Sequence, residues 1–491
     1  MSQPIQPATC ALLPKQFLVT RQRLDPKPGW QQFQLGAYHV YHAPGVGATR
    51  IRNFENDPQT ETVVLGWFGY RDTFYSGHGP GELLTHRSLE DIYPEMTGRF
   101  VVLSRQGDRL LCTTDAGAQL PVVYRPETGE LGSTPLVLGW TMALEKAPRI
   151  SAEFPRVDGT VWYPFGATPF VGVERLLPQR TVALSSRGAR LTEWQPANPA
   201  SLGVSQMHGV ARDFIRSLEK SEDSMECHLT AGWDSRMVLS ASWPLKHKIV
   251  YLTYLAQGAT ARIDSEMASH MAQRFGLGHE TIPVLNPSPE DIDQWLARTS
   301  ECIRDSVTGL TRTIVESYNH HYGLAGVGGE VGRAFYWKKR DIGQNGLTPE
   351  ELLVRLGFGK TRGALSRADR WLDDYRDQSR AGILDRAYID IRLGCWAGPS
   401  LSGHLVEKPT LSPFNSLVLY ESMLALPQSY RLSGAFARDF IAQGCAELAR
   451  LPVNRATGIR RLRGLPREVA RVLPKHARAR IRRLLFSGTP A

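Results

Sequence analysis

The sequence predicts an α/β fold in two parts, an antiparallel first half and a second half built on a parallel sheet. Residues 1–195 carry short, alternating apolar runs separated by Gly and Pro, which is typical of strands joined in hairpins. From residue 204 onward, β-branched and aromatic runs alternate with segments of helical periodicity, which indicates a doubly wound parallel sheet. The 491 residues are too many for one core, so we expect domains at 1–195 and 196–458 and a tail at 459–491.

The elements of the first half follow from these alternating runs. We expect strands at 16–20, 33–42, 62–68, 99–104, 109–114 and 119–124, and a short helix at 88–93. In the second half we expect helices at 204–220 and 264–277, strands at 247–255 and 279–285, and mainly helical structure at 287–322 and 338–400.

The bulk composition is that of a globular protein, with 42% hydrophobic and 22% charged residues. No apolar run approaches the roughly 20 residues that a membrane helix needs. The N-terminus lacks a basic start followed by an apolar core, so we expect no secretory signal. The six cysteines are scattered without a CxxC pair, which favours free thiols and a cytoplasmic location over a disulfide framework or a zinc site.

The net charge of +10 is concentrated in the tail. From Leu451 to the end there are ten Arg, one Lys and a single acidic residue, Glu468, while the rest of the chain is balanced. This distribution disfavours general nucleic-acid binding. The tail is either a helix pair that covers the second domain or a basic amphipathic segment that binds an anionic partner, such as a membrane surface, a carrier protein or an acidic substrate.

The stretch 228–239, HLTAGWDSRMVL, has the pattern of a buried strand, a turn of small residues and the start of a helix. Backbone N–H groups and the helix dipole at such a helix start favour an anionic phosphate. Asp234 can hold Mg²⁺ beside that phosphate, and Ser235 can donate its hydroxyl. The alternative is an ordinary strand-to-helix turn with Asp234 as its N-cap.

A second unusual stretch is 323–337, GLAGVGGEVGRAFYW, with five glycines within ten residues. Such a density of glycine indicates a backbone that packs closely against a ligand. The alternative is a flexible linker, which Glu330 and the aromatic end of the stretch disfavour.

The order of these stretches resembles the asparagine synthetase branch of the ATP pyrophosphatase (PP-loop) superfamily. The superfamily loop S-G-G-x-D-S corresponds here to 230–235, TAGWDS, and 323–337 resembles the family's second motif. The segments 98–134, 165–180 and 407–431 are also similar to family segments, and the resemblance covers roughly residues 60–460. It implies a glutaminase-like (Ntn-type) α+β sandwich followed by a doubly wound PP-loop ATP-binding domain.

The resemblance also implies ATP and Mg²⁺ as cofactors and assigns roles to particular residues. Asp234 and Glu330 would be the metal ligands, and Asp234, Glu330 and Arg455 the catalytic residues. The ATP or pyrophosphate contacts would come from Thr230, Ala231, Gly232, Trp233, Asp234, Ser235, Tyr254 and Gly326.

Three departures from the family pattern bear on the reaction. A glutaminase of this class uses a Cys at the mature N-terminus. Here Ser2 follows Met1 and the first cysteine is Cys10, so we expect the domain to have lost this activity. The alternatives are a cut after Thr9 that frees Cys10 as the nucleophile, and Ser2 as the nucleophile. Val327 replaces an acidic residue that serves the acceptor substrate, and Arg455 is the nearest cation where the family has a lysine.

By resemblance, the chain would be a ligase that adenylates a carboxylate, releases pyrophosphate and forms an amide with ammonia or an amine. Its partners would be a small-molecule or peptide carboxylate and an amine donor, and a homodimer is compatible with the family. Two alternatives remain open: a non-catalytic protein that kept the fold, and a PP-loop enzyme that acts on nucleic acid.

Overall fold

A computed structural model describes residues 15–53, 60–77, 81–156, 160–221, 224–257, 259–317, 322–404 and 408–453. Several features named above therefore lie outside the described residues: Met1, Ser2, Thr9, Cys10, Arg455 and the tail 459–491. Over the ranges described, no helix is both long and apolar enough to cross a membrane.

The first half forms two sheets that are antiparallel except for one parallel pair. The smaller sheet has, in spatial order, the strands Glu174–Arg175, Val123–Arg125, Glu130–Gly132, Phe17–Thr20, Tyr38–His42 and Gln31–Leu35. The larger has Gly188–Thr192, Thr181–Ser185, Arg109–Thr114, Thr97–Gln106, Thr60–Tyr70, Ala48–Asn53 and Glu82–Thr85, with Thr73–Tyr75 paired to Thr60–Tyr70. The parallel pair joins Ala48–Asn53 to Glu82–Thr85.

Alternate residues of the strand Phe17–Thr20 enter different hydrophobic cores, because successive side chains of a strand point to opposite faces of its sheet. Phe17 and Val19 join the main hydrophobic core together with residues of the larger sheet such as Val64. Leu18 points the other way, into a smaller cluster with Tyr41. The mainly antiparallel strands expected for the first half are therefore present in the described residues. The glutaminase-like (Ntn-type) sandwich stays a prediction.

Two expectations for the first half are wrong in detail. Residues 33–42 form a hairpin and not one strand, because Gly36 adopts a φ of 56° and reverses the chain. The strand expected at 119–124 begins only at Val123, because the carboxylate of Asp115 binds the backbone N–H groups of Gln119 and Leu120. The short helix is present as Leu89–Ile92, with Ser88 as its N-cap.

The second half contains a five-stranded parallel sheet. Its strands, in spatial order, are His279–Pro283, Ile249–Leu255, Met225–His228, Tyr322–Leu324 and Thr410–Leu411. The first strand in the chain lies in the centre, so the order reverses between Met225–His228 and Tyr322–Leu324. Ligands of doubly wound sheets bind at such a switch point, beyond the carboxyl ends of the strands.

Helices surround this sheet and extend beyond it. In chain order the α-helices of the described residues are Leu89–Ile92, Pro135–Leu138, Pro148–Glu153, Val204–Ser221, Trp233–Ala241, Ala259–Phe275, Pro289–Thr299, Thr311–Ser317, Pro349–Leu356, Arg362–Asp373, Arg380–Ala387, Gly398–Gly403, Leu417–Leu424, Gln428–Leu432, Ala435–Gly444 and Ala446–Ala449. A π-helix spans Tyr388–Ala397. Short 3₁₀ turns lie at Tyr93–Glu95, Trp243–Leu245, Thr308–Leu310, Gly329–Gly332 and Lys339–Asp341, and Val161–Trp162 pairs with Ile303–Arg304.

The helical expectations for 204–220 and 338–400 agree with this list, whereas two others need correction. The helix expected to start at Asp264 begins five residues earlier, at Ala259, so Asp264 lies inside it. The stretch 287–322 is only partly helical, because the strand Ile303–Arg304 interrupts it.

The two halves share buried polar contacts as well as one hydrophobic core. Asn415 donates from Nδ2 to the Gly98 carbonyl at 2.5 Å and to the Asp115 carboxylate at 2.7 Å. The Gly98 N–H donates to the Asn415 carbonyl at 3.0 Å. Residues 193–203, which connect the halves, contain neither helix nor strand. The boundary expected at 195/196 remains a prediction.

Candidate active site

The loop after the central strand Met225–His228 is held in shape by its own hydroxyl groups. The Oγ of Ser235 lies 3.0 Å from the Thr230 Oγ1 and accepts the Thr230 N–H at 3.1 Å. Thr230 Oγ1 in turn accepts the Gly232 N–H at 3.2 Å. The helix Trp233–Ala241 then starts at Gly232 without a side-chain cap, which leaves an N-terminus of the kind that anions bind.

Two further residues fix the position of this loop, and sequence reasoning gave neither of them this role. Asp264 accepts the Ala231 N–H at 2.9 Å from the neighbouring helix. Arg236 is fully buried and donates to the carbonyls of Ala231 at 3.2 Å and Pro452 at 2.7 Å. The protein's own side chains thus hold this loop in position from two sides.

The second glycine-rich stretch comes against the first loop from the next strand, Tyr322–Leu324. An added Cβ on Gly326 would lie 2.6 Å from the Asp234 Cβ, so only glycine permits this approach. Gly328, with a φ of 95°, precedes the 3₁₀ turn Gly329–Gly332 that carries Glu330. The tight packing of the two loops is what brings Glu330 towards Asp234.

Asp234 and Glu330 flank the same guanidinium group. The Nη2 of Arg333 lies 2.8 and 2.6 Å from the two carboxylate oxygens of Asp234 and 3.9 Å from the Glu330 Oε1. Burial, followed by the charge of Glu330, raises the pKa of Asp234 above its ordinary value, and Arg333 opposes this shift. The structure therefore brings the two predicted metal ligands into one site, and their role as ligands stays a prediction.

The other oxygen of Glu330 is held by a residue far along the chain. Tyr388, the first residue of the π-helix, donates its hydroxyl to the Glu330 Oε2 at 2.6 Å. Burial raises the pKa of the Tyr388 phenol well above its ordinary value, so the hydroxyl keeps its proton. The Phe335 ring lies 4.8 Å from the Tyr388 ring and is 45% exposed, so an aromatic surface adjoins the carboxylates.

The other residues named in the sequence analysis have the following positions. Trp233 is the first residue of the helix and lines a cavity of about 880 Å³ with Arg438 and Arg450. Tyr254 lies near the carboxyl end of the adjacent strand, with its ring 4.9 Å from that of His228. Val327 accepts the Ser412 hydroxyl at its carbonyl, at 2.5 Å. Arg455 lies outside the described residues.

Two carboxyl groups, those of Asp234 and Glu330, are the candidate ligands for a divalent cation. No group of three or more His, Cys, Asp or Glu side chains that could hold a metal ion occurs in the part of the chain that the structure describes. Asp234 and Glu330 form a pair of oxygen donors, which suits Mg²⁺ that takes its remaining ligands from phosphate oxygens and water. The pair therefore fits a nucleotide-bound Mg²⁺ better than a cation held by protein alone.

Comparisons with known proteins identify no family. No family model and no curated protein matches the chain. Among solved structures, an NH₃-dependent NAD synthetase from Campylobacter jejuni is 16% identical, with 38% of this chain and 96% of that chain covered and a TM-score of 0.21. An NMN synthetase from Francisella tularensis is 10% identical, with shares of 36% and 75% and a TM-score of 0.19. A glutamine-dependent NAD⁺ synthetase from Acinetobacter baumannii is 13% identical, with shares of 45% and 41% and a TM-score of 0.16. TM-scores this low do not establish a shared fold.

Proposed function

We propose that the protein is an ATP-dependent ligase of the asparagine synthetase type, which adenylates a carboxylate, releases pyrophosphate and forms an amide. The observation that carries the proposal is the position of Asp234 and Glu330. They lie together at the switch point of a doubly wound sheet, beside a helix N-terminus without a side-chain cap. Phosphates and their metal ion bind at this place in such sheets.

In this proposal, the backbone N–H groups at the start of the helix Trp233–Ala241 bind the phosphates of ATP. Asp234 and Glu330 hold Mg²⁺, which when bound stabilises the charge that develops on the leaving pyrophosphate. Tyr388 orients Glu330 through its hydrogen bond. Arg333 and Arg455 supply positive charge near the phosphates, with a fork that suits phosphate oxygens.

The acceptor proposed here is a small-molecule or peptide carboxylate other than aspartate. Val327 replaces an acidic residue of the family motif, and the exposed Phe335 ring lies beside Tyr388. Both features support an acceptor with an apolar or aromatic portion, because such surfaces bind apolar groups.

The amine is proposed to come from free ammonia, from an amine substrate or from the acceptor itself. The strand Phe17–Thr20 is preceded by Gln16 and Lys15, without a cysteine beside it. The thiols of Cys112, Cys227, Cys302 and Cys395 are buried, and burial raises the pKa of each, which suppresses the nucleophilic thiolate. These features support a first half without glutaminase activity.

The first test is calorimetric titration of the full-length protein with Mg·ATP. We expect saturable binding that Asp234→Asn and Glu330→Gln weaken and that Asp369→Asn, an exposed acid on the helix Arg362–Asp373, leaves unchanged. Incubation with pools of carboxylates and amines should then release AMP and pyrophosphate.

Each alternative predicts a different result in these experiments. Wild-type protein that fails to bind Mg·ATP would favour a non-catalytic protein. Release of ADP and phosphate would contradict adenylation. A steep fall of tRNA affinity with salt would favour a nucleic-acid enzyme, because several phosphate contacts produce such a slope.

A further inference from the structure

The guanidinium of Arg333 lies where a metal ion shared by Asp234 and Glu330 would bind. Its Nη2 lies between the carboxylates, within hydrogen-bonding distance of both Asp234 oxygens and 3.9 Å from the Glu330 Oε1. The three side chains are similarly accessible, at 25% for Arg333, 25% for Asp234 and 22% for Glu330. Small ions from solvent can therefore reach these side chains and replace one of their present partners.

The cluster consists of two carboxyl groups and one guanidinium group. A divalent cation shared by Asp234 and Glu330 would need oxygens that now accept the guanidinium. If Arg333 stayed in place, the two cations would also repel each other at short range in a partly buried site. Guanidinium and metal ion therefore exclude each other between these carboxylates.

A phosphate group offers the guanidinium a second partner. Arg333 follows directly on the turn Gly329–Gly332, and this turn packs against the helix start where the phosphates of ATP are proposed to bind. The Arg333 Nε is buried and has no hydrogen-bond partner among the residues described, so this atom does not tie the guanidinium to its present position. A guanidinium binds phosphate in a forked, bidentate manner.

We propose that Arg333 is an internal cation that competes with the divalent metal ion for Asp234 and Glu330, and that nucleotide phosphates relieve this competition by binding Arg333. The metal ion then binds firmly only together with the nucleotide, so the two ligands are coupled. This inference rests on the proposed ATP site.

The test measures metal binding directly, without turnover. Mn²⁺ replaces Mg²⁺, and its dissociation constant for the full-length protein is measured by electron paramagnetic resonance in the absence of nucleotide. We expect Arg333→Met to bind Mn²⁺ at least about tenfold more tightly than wild type, because a competing charge a few ångströms away is removed. Arg333→Lys, which keeps a positive charge, should stay close to wild type.

The matched control is Arg380→Met. Arg380 is also a partly exposed arginine, at 22%, and holds the carboxylate of Glu351 by two hydrogen bonds of 3.0 Å away from the proposed site. Arg380→Met lowers the net charge of the protein by the same amount as Arg333→Met. An unchanged Mn²⁺ affinity in Arg380→Met therefore shows that the effect of Arg333→Met is local and does not come from the net charge. Arg333→Gln provides a second neutral variant if circular dichroism shows that Arg333→Met is not folded.

The second arm uses Mn²⁺ with a non-hydrolysable ATP analogue. In this experiment Arg333→Met should bind the Mn²⁺–nucleotide complex at least about tenfold more weakly than wild type, because the nucleotide phosphate loses its guanidinium partner. Equal or weaker Mn²⁺ binding by both neutral variants would overturn the competition, and tighter binding of the Mn²⁺–nucleotide complex would overturn the transfer to phosphate.

These outcomes are distinct from a failure of the proposed function. Wild-type protein that binds no Mg·ATP, alongside tighter Mn²⁺ binding by Arg333→Met, would reject the ATP site and keep the competition. Wild-type protein that binds Mg·ATP, with Mn²⁺ affinities equal in all variants, would keep the site and reject the competition.

Discussion

Two aspartates, one from each half of the chain, lie in different surroundings. Asp115 is completely buried and accepts a hydrogen bond from the Asn415 side chain at 2.7 Å. It also accepts backbone N–H groups from Phe100, Gly117, Gln119 and Leu120 at 2.9–3.2 Å. Asp234 keeps 25% of its side chain exposed, is held by Arg333 and lies beside Glu330.

The difference separates a structural carboxylate from one suited to chemistry. The donors around Asp115 are mainly backbone groups, whose positions the fold determines, so this carboxylate cannot change its partners without local unfolding. The partner of Asp234 is Arg333, whose long side chain can move away. The nearby carboxylate of Glu330 favours the binding of another cation where the guanidinium now lies. The two carboxylates therefore differ both in their exposure and in the kind of partner that holds them.

The largest effect expected from this comparison is the loss of stability in Asp115→Asn. The amide would place N–H donors against backbone N–H donors in the buried junction between the halves. We expect a loss of about 3 kcal/mol in the free energy of unfolding, measured with urea. Asp108→Asn, on an exposed turn, is the control and should stay within about 0.5 kcal/mol of wild type. Equal stability of the two variants would remove the structural role of Asp115.

Asp234→Asn should affect the binding of Mg·ATP strongly and the free energy of unfolding little. Loss of the pair with Arg333 is offset by relief of the repulsion from Glu330, so we expect the stability to change by no more than about 1 kcal/mol. Binding of Mg·ATP should weaken by about 100-fold, because a neutral amide is a poor Mg²⁺ ligand. Unfolding of this variant under conditions in which wild type is folded would place Asp234 with Asp115 as a structural residue.

Glu226 sharpens the comparison, because this buried acid in the central strand lacks the donors that Asp115 has. Its Oε2 has no hydrogen-bond partner within the described structure, and burial raises its pKa from 4.5 to about 8. The folded state therefore holds the proton more tightly than the unfolded state. The resulting stabilisation is complete below pH 4.5 and is lost as the pH rises to about 8.

Glu226→Gln should remove this dependence on pH. Between pH 6 and pH 8, wild type should lose about 2 kcal/mol more of its free energy of unfolding than the variant does. Urea denaturation of both proteins at the two pH values gives this difference. Parallel pH profiles would show that Glu226 does not titrate in this range.

The smallest expected effect concerns glutamine. The first half is expected to act as a scaffold, so the purified protein should release no glutamate from glutamine, and Cys10→Ala should change nothing. An enzymatic glutamate assay with a known glutaminase as positive control is sufficient. Glutamate release that disappears in Cys10→Ala would give the first half a catalytic role of its own.

Much of the architecture could be predicted, and the errors have local causes. Period-two and helical patterns located most strands and helices, because burial on one face leaves a periodic trace in the sequence. The hairpin at 33–42 was missed because both of its strands carry the same alternation, and only the positive φ of Gly36 separates them. The helix before Asp264 was missed because an acidic residue inside a helix looks like an N-terminal one.

Within the site, the sequence by itself determined the two loops that carry Asp234 and Glu330, because glycine-rich turns after apolar strands are local features. Only the tertiary structure decided what surrounds them. Arg333, three residues after Glu330, points back to Asp234, and Tyr388 reaches Glu330 from 58 positions away. Both contacts depend on how strands and helices pack, and side-chain pairing across such distances leaves no periodic trace in one sequence.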